Sequence, residues 1–332
     1  MNAAVLEQVN TPYIFKEVYK PIPKAGEVCI RISTAALNHR DVWIQKGQYA
    51  GLKFPIICGS DGCGIIETVG DNADSTWINK EVIINPSLNW GNNPRVQAKD
   101  YTILGLPQNG TFAQYVCVPV HLVHPKPAHL TALQAAAFPL AGLTAYRALF
   151  GRAKAMSGEN VLVTGAGGGV ALFATQFALA VGCNVYVTSG SDEKLERAKK
   201  LGVKGGANYN HTEWNKKLAK ESDGFDVIID GAGGEGFARL VDLAKPGGRI
   251  AVYGATNGIW NAGVPAKIFW KQLDILGSTM GNNVEFDEMI SFVSQHHIEP
   301  VIDKVFSLSQ ADEASAYMDN GHQFGKILLQ ID

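Results

Sequence analysis

Residues 161–178 read VLVTGAGGGVALFATQFA. An apolar strand ends at Thr164, a turn built from Gly and Ala follows, and a helix opens near Val170. This order constrains the chain more than any other stretch. Small residues let the backbone come close to a pyrophosphate. The helix start beyond them offers unpaired N–H groups and the positive end of its dipole. A tight turn alone uses the same glycines. The second strand, Asn184–Thr188, lies at the expected distance and favours a dinucleotide-binding unit, with Gly168 and Gly169 as the close-approach positions.

The rhythm around this turn agrees with it. A helical stretch spans Thr131–Leu149, with Thr131 as its N-cap. Then strands at Asn160–Thr164, Asn184–Thr188, Ala207–Tyr209, Asp226–Asp230, Arg249–Gly254 and Asp274–Thr279 alternate with helices at Val170–Val181, Asp192–Leu201 and Gly236–Ala244. Continuous apolar strands between helices predict a parallel sheet covered on both faces. Residues 1–121 read differently. Short β-branched runs (Val28–Ile32, Gly64–Val69, Glu81–Ile84) are broken by Pro and Gly, and one helix is expected around Asn38–Gln45. Residues 85–110 look like one long surface loop. The last forty residues return to a mixed pattern, with strands at Val301–Phe306 and Lys326–Ile331 around a helix at Gln310–Asn320.

The chain has 332 residues, enough for about two domains, with 29 basic and 31 acidic side chains. That near-balance leaves no basic footprint for nucleic acid or a membrane surface. Five scattered cysteines without a Cys-x-x-Cys pair suit buried thiols in a reducing compartment. The segment MNAAVLEQVNTP lacks a basic stretch followed by an apolar run. The most apolar helix, Val170–Cys183, is interrupted by Gln176 and falls short of the ~20 residues that span a bilayer. A cytoplasmic protein is expected.

The cofactor follows from the second strand. Enzymes selective for NAD place an acid at its end, on the ribose 2′-hydroxyl. Here it ends Val187-Thr188-Ser189-Gly190-Ser191, with no acid before Asp192 and with Lys194 one turn further on. Ser189, Ser191 and Lys194 suit a 2′-phosphate, so NADP(H) is expected. Ser191 as a helix N-cap and Lys194 as a solvated lysine is the plainer reading of the same residues.

Five segments share a further likeness: LNHRDVWIQKGQY (37–49), GSDGCGIIETVG (59–70), LAGLTAYRAL (140–149), the glycine turn, and GKILL (325–329). Over essentially its whole length the chain resembles the medium-chain dehydrogenase/reductases. It is most similar to their zinc-independent quinone oxidoreductase, zeta-crystallin-like branch. The resemblance implies an α/β protein: a Rossmann doubly wound parallel sheet over 122–288, and a mostly-β GroES-like catalytic domain from 1–121 and 289–332, with the nicotinamide in a cleft between them. It places Asn38 and Asp41 beside the nicotinamide and substrate and Tyr49 at the cleft mouth. Helix capping is the structural alternative for the first two, and loop packing for Tyr49. The cofactor positions carried over are Thr144, Gly168, Gly169, Val170, Ser189, Ser191, Lys194, Tyr209, Gly254, Phe324, Gly325 and Lys326. Relatives join two sheets near Leu276–Met280, which implies a homodimer or homotetramer.

The zinc enzymes of that superfamily carry a cysteine where this chain has Asn38, Gly-His-Glu where it has Gly59-Ser60-Asp61, and another cysteine near Leu140. Their zinc lobe has four close cysteines, whereas 85–110 has none. No metal is expected, since tetrahedral zinc needs Cys or His ligands. Without a Lewis acid the expected chemistry is hydride transfer from NADPH to an acceptor that is already electrophilic, a quinone or an α,β-unsaturated carbonyl. A zinc-type alcohol dehydrogenase, and a cofactor-binding sensor or structural protein, are the rival readings.

Overall fold

A computed structural model describes residues 1–260 and 265–332. These form two compact units, residues 142–280 and residues 1–141 with 281–332. In the first, six strands make one parallel sheet. Its spatial order is Gly205–Asn208, Asn184–Ser189, Asn160–Val163, Phe225–Asp230, Ala244–Val252, Asp274–Gly277. Val161, Leu162 and Val163 are fully buried, as are Val227, Ile228 and Ile229. Burial on both faces is why these strands read as unbroken apolar runs. Asn160–Val163 is the first strand in sequence yet lies third in space, so the order reverses beside it. The glycine turn leaves from its C-terminal end, where doubly wound sheets bind ligands. Among the described residues Asp274–Gly277 has a strand neighbour on one side only.

Helix Trp214–Ser222 was not anticipated. It starts after Glu213 at φ +62° and buries only Trp214, Leu218 and Ser222, so its apolar signal is thin. The expected helix Thr131–Leu149 is broken. Ala132–Ala137 and Pro139–Tyr146 are separate, and the chain continues as a π turn over Arg147–Arg152. Pro139 has no N–H to continue the ladder, and its ring crowds the preceding turn. Thr131 caps the first piece as expected, its hydroxyl accepting from the Gln134 N–H at 3.2 Å.

In the second unit, strand Glu27–Ala36 is the axis. It pairs antiparallel with Asp61–Val69, Tyr115–Pro119 and Lys326–Gln330. Asp61–Val69 pairs onward with Glu81–Ile84, and that strand with Val123–Pro125. Val28, Ile30 and Ile32 alternate into a core shared with Val116, Val118, Ile327 and Leu329. Pairing of Leu328 with Ala36 is what brings the chain's end back to its first third.

The unit boundaries fall at 141/142 and 280/281 rather than 121/122 and 288/289. Packing explains both shifts. Ala137 lies against Ala36 and Leu328. Helix Asn283–Gln295 buries Phe286, whose ring centroid is 4.8 Å from that of His124, and Asn283 accepts from Asn85 at 2.8 Å.

Residues 85–110 are not wholly a surface loop. Ser87–Leu88 pairs with Thr102–Ile103, and Trp90, Leu104 and Leu106 are buried. The end of this segment presses on Gly59. A Cβ at Gly110 would lie 1.9 Å from the Gly59 carbonyl oxygen, and Gly105, at φ +94°, would place one 2.7 Å from the same atom. Gly110→Ala therefore forces two backbones apart. It should lower stability by about 1–3 kcal/mol, the usual cost of overpacking, in urea denaturation. An unchanged midpoint would show that the contact yields freely.

Candidate functional site

The centre of the 1–141/281–332 unit is a buried polar cluster. Lys326, 3% exposed, enters it from the start of the last strand. Its ammonium donates to Leu37 O at 2.8 Å, Asn38 Oδ1 at 2.7 Å and Asp61 Oδ2 at 3.1 Å. Asn38 Nδ2 donates to the same Asp61 oxygen at 3.0 Å. The other Asp61 oxygen accepts from the Leu140 N–H at 2.7 Å. Lys326 was expected among the cofactor contacts. All three of its protons go instead to protein acceptors, so it positions Asn38 and Asp61. Buried charge of this kind is tolerable only when paired and hydrogen-bonded.

Asp41 also departs from expectation. It is 0% exposed and caps the helix His39–Gln45. One oxygen accepts from the Asn38 N–H at 2.8 Å, the other from the Gly59 N–H at 3.3 Å. Burial pushes its carboxyl up to about 6, against the opposing effect of the Arg40 guanidinium and these two N–H groups. Asp41 joins the helix start to Gly59 and has no surface to offer a substrate. Asn38, 7% exposed, keeps one amide hydrogen beyond its bonds to Asp61 and Lys326.

Arg40 was not anticipated. It is 5% exposed, and its Nη1 donates to Ser60 Oγ and to Leu104 O, both at 2.8 Å. Its Nε donates to Tyr49 Oη at 3.4 Å, and its guanidinium carbon lies 5.0 Å from the Tyr49 ring centroid. Tyr49 is half-buried. With its oxygen accepting from Arg40, its own proton is left to donate. A signal for Arg40 did exist. A cation in a helix's first turn opposes the dipole, so a basic residue there needs a specific partner.

In the 142–280 unit the glycine turn is anchored from both sides. Thr164 Oγ1 donates to Asp230 Oδ1 at 2.7 Å, and the Ala166 N–H donates to Thr188 O at 2.7 Å. Gly165 and Gly167 take positive φ, +74° and +112°. Helix Gly169–Ala180 starts after Gly168, so the Gly169 and Val170 N–H groups stand in its unpaired first turn. A Cβ at Gly168 would meet only Gly165 O, at 3.5 Å. The protein itself does not require glycine there, which is how a position reserved for a ligand behaves.

At the end of the second strand, Ser191 caps helix Asp192–Lys200, its hydroxyl oxygen accepting from the Lys194 N–H at 3.3 Å. Tyr209 is 44% exposed and lies over Gly190, where a Cβ would come within 2.8 Å of its hydroxyl. Ser191, Lys194 and Tyr209 are thus gathered at one place. Ser189 is 2% exposed and donates weakly to Ala166 O at 3.4 Å, so it shapes the turn from within. Asp192 accepts from Asn208 Nδ2 at 3.0 Å.

Four other expected cofactor positions have structural reasons of their own. Gly254 passes Gly231, where a Cβ would lie 2.9 Å from the carbonyl oxygen. Gly325, at φ +123°, would drive a Cβ to 2.4 Å from Val301 O, and Phe324 beside it is buried. Thr144 is buried, with Oγ1 3.6 Å from Met280 Sδ.

The side chains where zinc ligands would stand do not fit a zinc ion. The Asn38 oxygen holds an ammonium, both Asp61 oxygens hold donors, and Ser60 Oγ donates to Leu104 O at 2.8 Å while accepting from Arg40. Among the described residues no group of three or more His, Cys, Asp or Glu could hold a metal, nor is any helix long and apolar enough to cross a membrane.

Comparison with known proteins adds names to this geometry. Residues 24–128 match the model of the alcohol dehydrogenase GroES-like domain, and residues 169–295 that of the zinc-binding dehydrogenases. A zinc-type alcohol dehydrogenase-like protein, YogA, of Leptosphaeria maculans is 38% identical, the match covering 98% of this chain and 96% of that one. The quinone oxidoreductase of Mus musculus is 29% identical over 100% of this chain and 98% of its own. A crystal structure titled as an NAD-dependent alcohol dehydrogenase superposes with a TM-score of 0.95 at 35% identity, covering 100% of both chains.

Removing the ammonium from the buried cluster tests its weight. Lys326→Met leaves Asp61 charged and short of a donor, and should cost about 3–5 kcal/mol of stability. The double variant Lys326→Met/Asp61→Asn should recover part of that loss. Additive costs in a double-mutant cycle would show that the pair is not coupled.

Proposed function

Because the chain belongs to the medium-chain dehydrogenase/reductase superfamily, we propose that it is an NADPH-dependent, zinc-free oxidoreductase that delivers hydride to a quinone or an α,β-unsaturated carbonyl. The observation that carries this reading is the Lys326 ammonium among Asn38, Asp61 and Leu37, where a zinc enzyme would hold its metal. The ammonium lies against the oxygens a metal would use, and neither Asn38 nor Ser60 is a ligand type that tetrahedral zinc takes. An alcohol has nothing to polarise it, so the acceptor has to be electrophilic already. Bound NADPH supplies the hydride from C4 of its nicotinamide.

The chain's residues then stabilise the charge that appears on the acceptor oxygen. The remaining Asn38 amide hydrogen and the Tyr49 hydroxyl proton are the two donors offered to it. Lys326 and Asp61 hold the amide, and Arg40 holds the phenol oxygen, so both are oriented before substrate arrives. The buried acids of the cluster, Asp41 and Asp61, are taken up by protein donors, and water completes the reduction. The pyrophosphate belongs on the Gly168–Val170 turn, and the 2′-phosphate beside Ser191, Lys194 and Tyr209.

A panel of acceptors tests the main reading. NADPH oxidation should appear with quinones or enones, persist in chelator, and accompany less than one zinc per chain. Alcohol oxidation with NAD that chelator abolishes would favour the zinc enzyme instead. NADPH bound stoichiometrically with no turnover would favour a sensor.

Tyr49→Phe removes one donor. It should lower kcat/KM for a small quinone or enone by about 5–50-fold, equivalent to about 1–2 kcal/mol, and leave NADPH binding nearly unchanged. Full activity across several acceptors would leave Tyr49 as a packing residue.

Lys194→Ala tests the cofactor. A charge-assisted contact to a 2′-phosphate is worth about 1.5–3 kcal/mol, so NADPH should bind about 10–150-fold more weakly. NADH, lacking that group, should stay within about threefold, and the difference should shrink with salt. Equal loss for both cofactors, or a wild-type preference for NADH, would remove the phosphate site.

A further inference from the structure

Strands Glu27–Ala36 and Tyr115–Pro119 run antiparallel with Cys29 level with Cys117. Their phase follows from two flanking bonds. The Ile32 N–H donates to Gln114 O, and the Val120 N–H to Gly26 O, both at 2.9 Å. Both of these cross-strand pairs lie three residues from Cys29, so alternation makes Cys29/Cys117 a non-hydrogen-bonded pair. The Cα atoms of such a pair are about 4.5 Å apart, within the ~4.4–6.8 Å that a disulfide accepts. Val28, Ile30, Val116 and Val118 point into the core. The two cysteines therefore share the other face. Among the described residues Tyr115–Pro119 pairs only with Glu27–Ala36, which leaves its other edge room for the small adjustment closure needs.

The surroundings differ from those of the other thiols. Cys29 is fully buried beneath the segment that carries Lys20 and Pro21, its Sγ 3.9 Å from Pro21 O. Cys117 is partly exposed and lines a surface cavity of about 510 Å³ with Lys16, Tyr19, Pro21 and Lys24. The adjacent Cys117 thiol and the Lys20 ammonium hold Cys29 below the ordinary thiol range, with burial opposing them. Cys117 is correspondingly raised by Cys29. Cys58 and Cys63 are fully buried, and Cys63 lies level with Thr34 and Ile83 rather than with a second cysteine.

We propose that Cys29 and Cys117 form a dithiol–disulfide site that hydrogen peroxide oxidises to a cross-strand bond. The accessible Cys117 sulfur, its proton drawn to the neighbouring Cys29 sulfur, attacks one peroxide oxygen and breaks the O–O bond. It becomes a sulfenic acid, and the departing hydroxide takes the thiol proton and leaves as water. The Cys29 thiolate then attacks the Cys117 sulfur and displaces hydroxide, which leaves as a second water with the Cys29 proton. Two thiols have lost two hydrogens and two electrons, and peroxide has become two waters. A small thiol reverses the bond by two exchange steps.

Peptide mapping of the full-length protein tests this. After equimolar peroxide the intact mass should fall by about 2 Da, and alkylation and digestion should then give one peptide pair joining Cys29 to Cys117, both effects reversed by dithiothreitol. With excess peroxide, Cys29→Ser should instead give Cys117 about 32 Da heavier, a sulfinic acid with no linked peptide. Wild-type protein that gains oxygen at Cys117 without a link, that links other cysteines, or that stays unmodified would each overturn the proposal. The wild-type map decides the matter even if the variant does not fold.

Discussion

The Lys326 ammonium organises the unit of residues 1–141 and 281–332. It binds acceptors from two separate parts of the chain, Leu37 and Asn38 at the end of strand Glu27–Ala36 and Asp61 at the start of Asp61–Val69. Asp61 in turn holds the Leu140 N–H. Four segments far apart in sequence therefore meet at one charge pair. The pair is almost wholly removed from water, with side chains 4% and 0% exposed. Its attraction is weakly screened there, and losing either partner strands the other. Where the zinc enzymes place metal ligands, Lys326 thus holds Asn38 and Asp61, and Asp61 holds the Leu140 N–H.

Arg40 and Asp41 make a second layer of the same design. Adjacent in sequence, they leave the helix in different directions. Asp41 reaches the Gly59 N–H, and Arg40 reaches Ser60 and Leu104. Gly59–Asp61 is therefore gripped residue by residue, and residues 104–110 close over it because Gly105 and Gly110 permit backbone contact. The long segment 85–110, free of cysteines, needs no metal to be ordered, since Trp90, Leu104 and Leu106 bury themselves.

How much of this was legible depended on whether the signal was local. The parallel sheet was, because its central strands Asn160–Val163, Asn184–Ser189 and Phe225–Asp230 are largely apolar and alternate with helices. The glycine turn was, because strand, small residues and helix are contiguous. Helix Trp214–Ser222 was not, since only three of its residues face inward. Lys326 and Asp41 were identified as site positions, but their bonds to protein groups were not foreseen. A lysine and an aspartate read alike whether they meet a cofactor or each other's neighbours. What separates the cases is which acceptors lie within 3 Å, and those come from residues up to 289 positions away. Arg40 was missed for the same reason.

The charges of the cluster also bear on what it can do. Two cations, Arg40 and Lys326, lie among two carboxylates, Asp41 and Asp61. Asp41 is the weaker anion, since burial pushes its carboxyl up to about 6. As Asp41 takes up a proton, the cluster gains positive charge. Each added increment of positive potential favours an oxyanion on a substrate and opposes a metal ion. Hydrogen bonds from Asn38 and Tyr49, set in that field, suit an acceptor whose oxygen becomes negative when hydride arrives. On the proposed reading, that field stabilises the oxyanion formed when hydride reaches an activated carbonyl, and its positive part comes from Arg40 and Lys326, whose donors are turned inward to the protein.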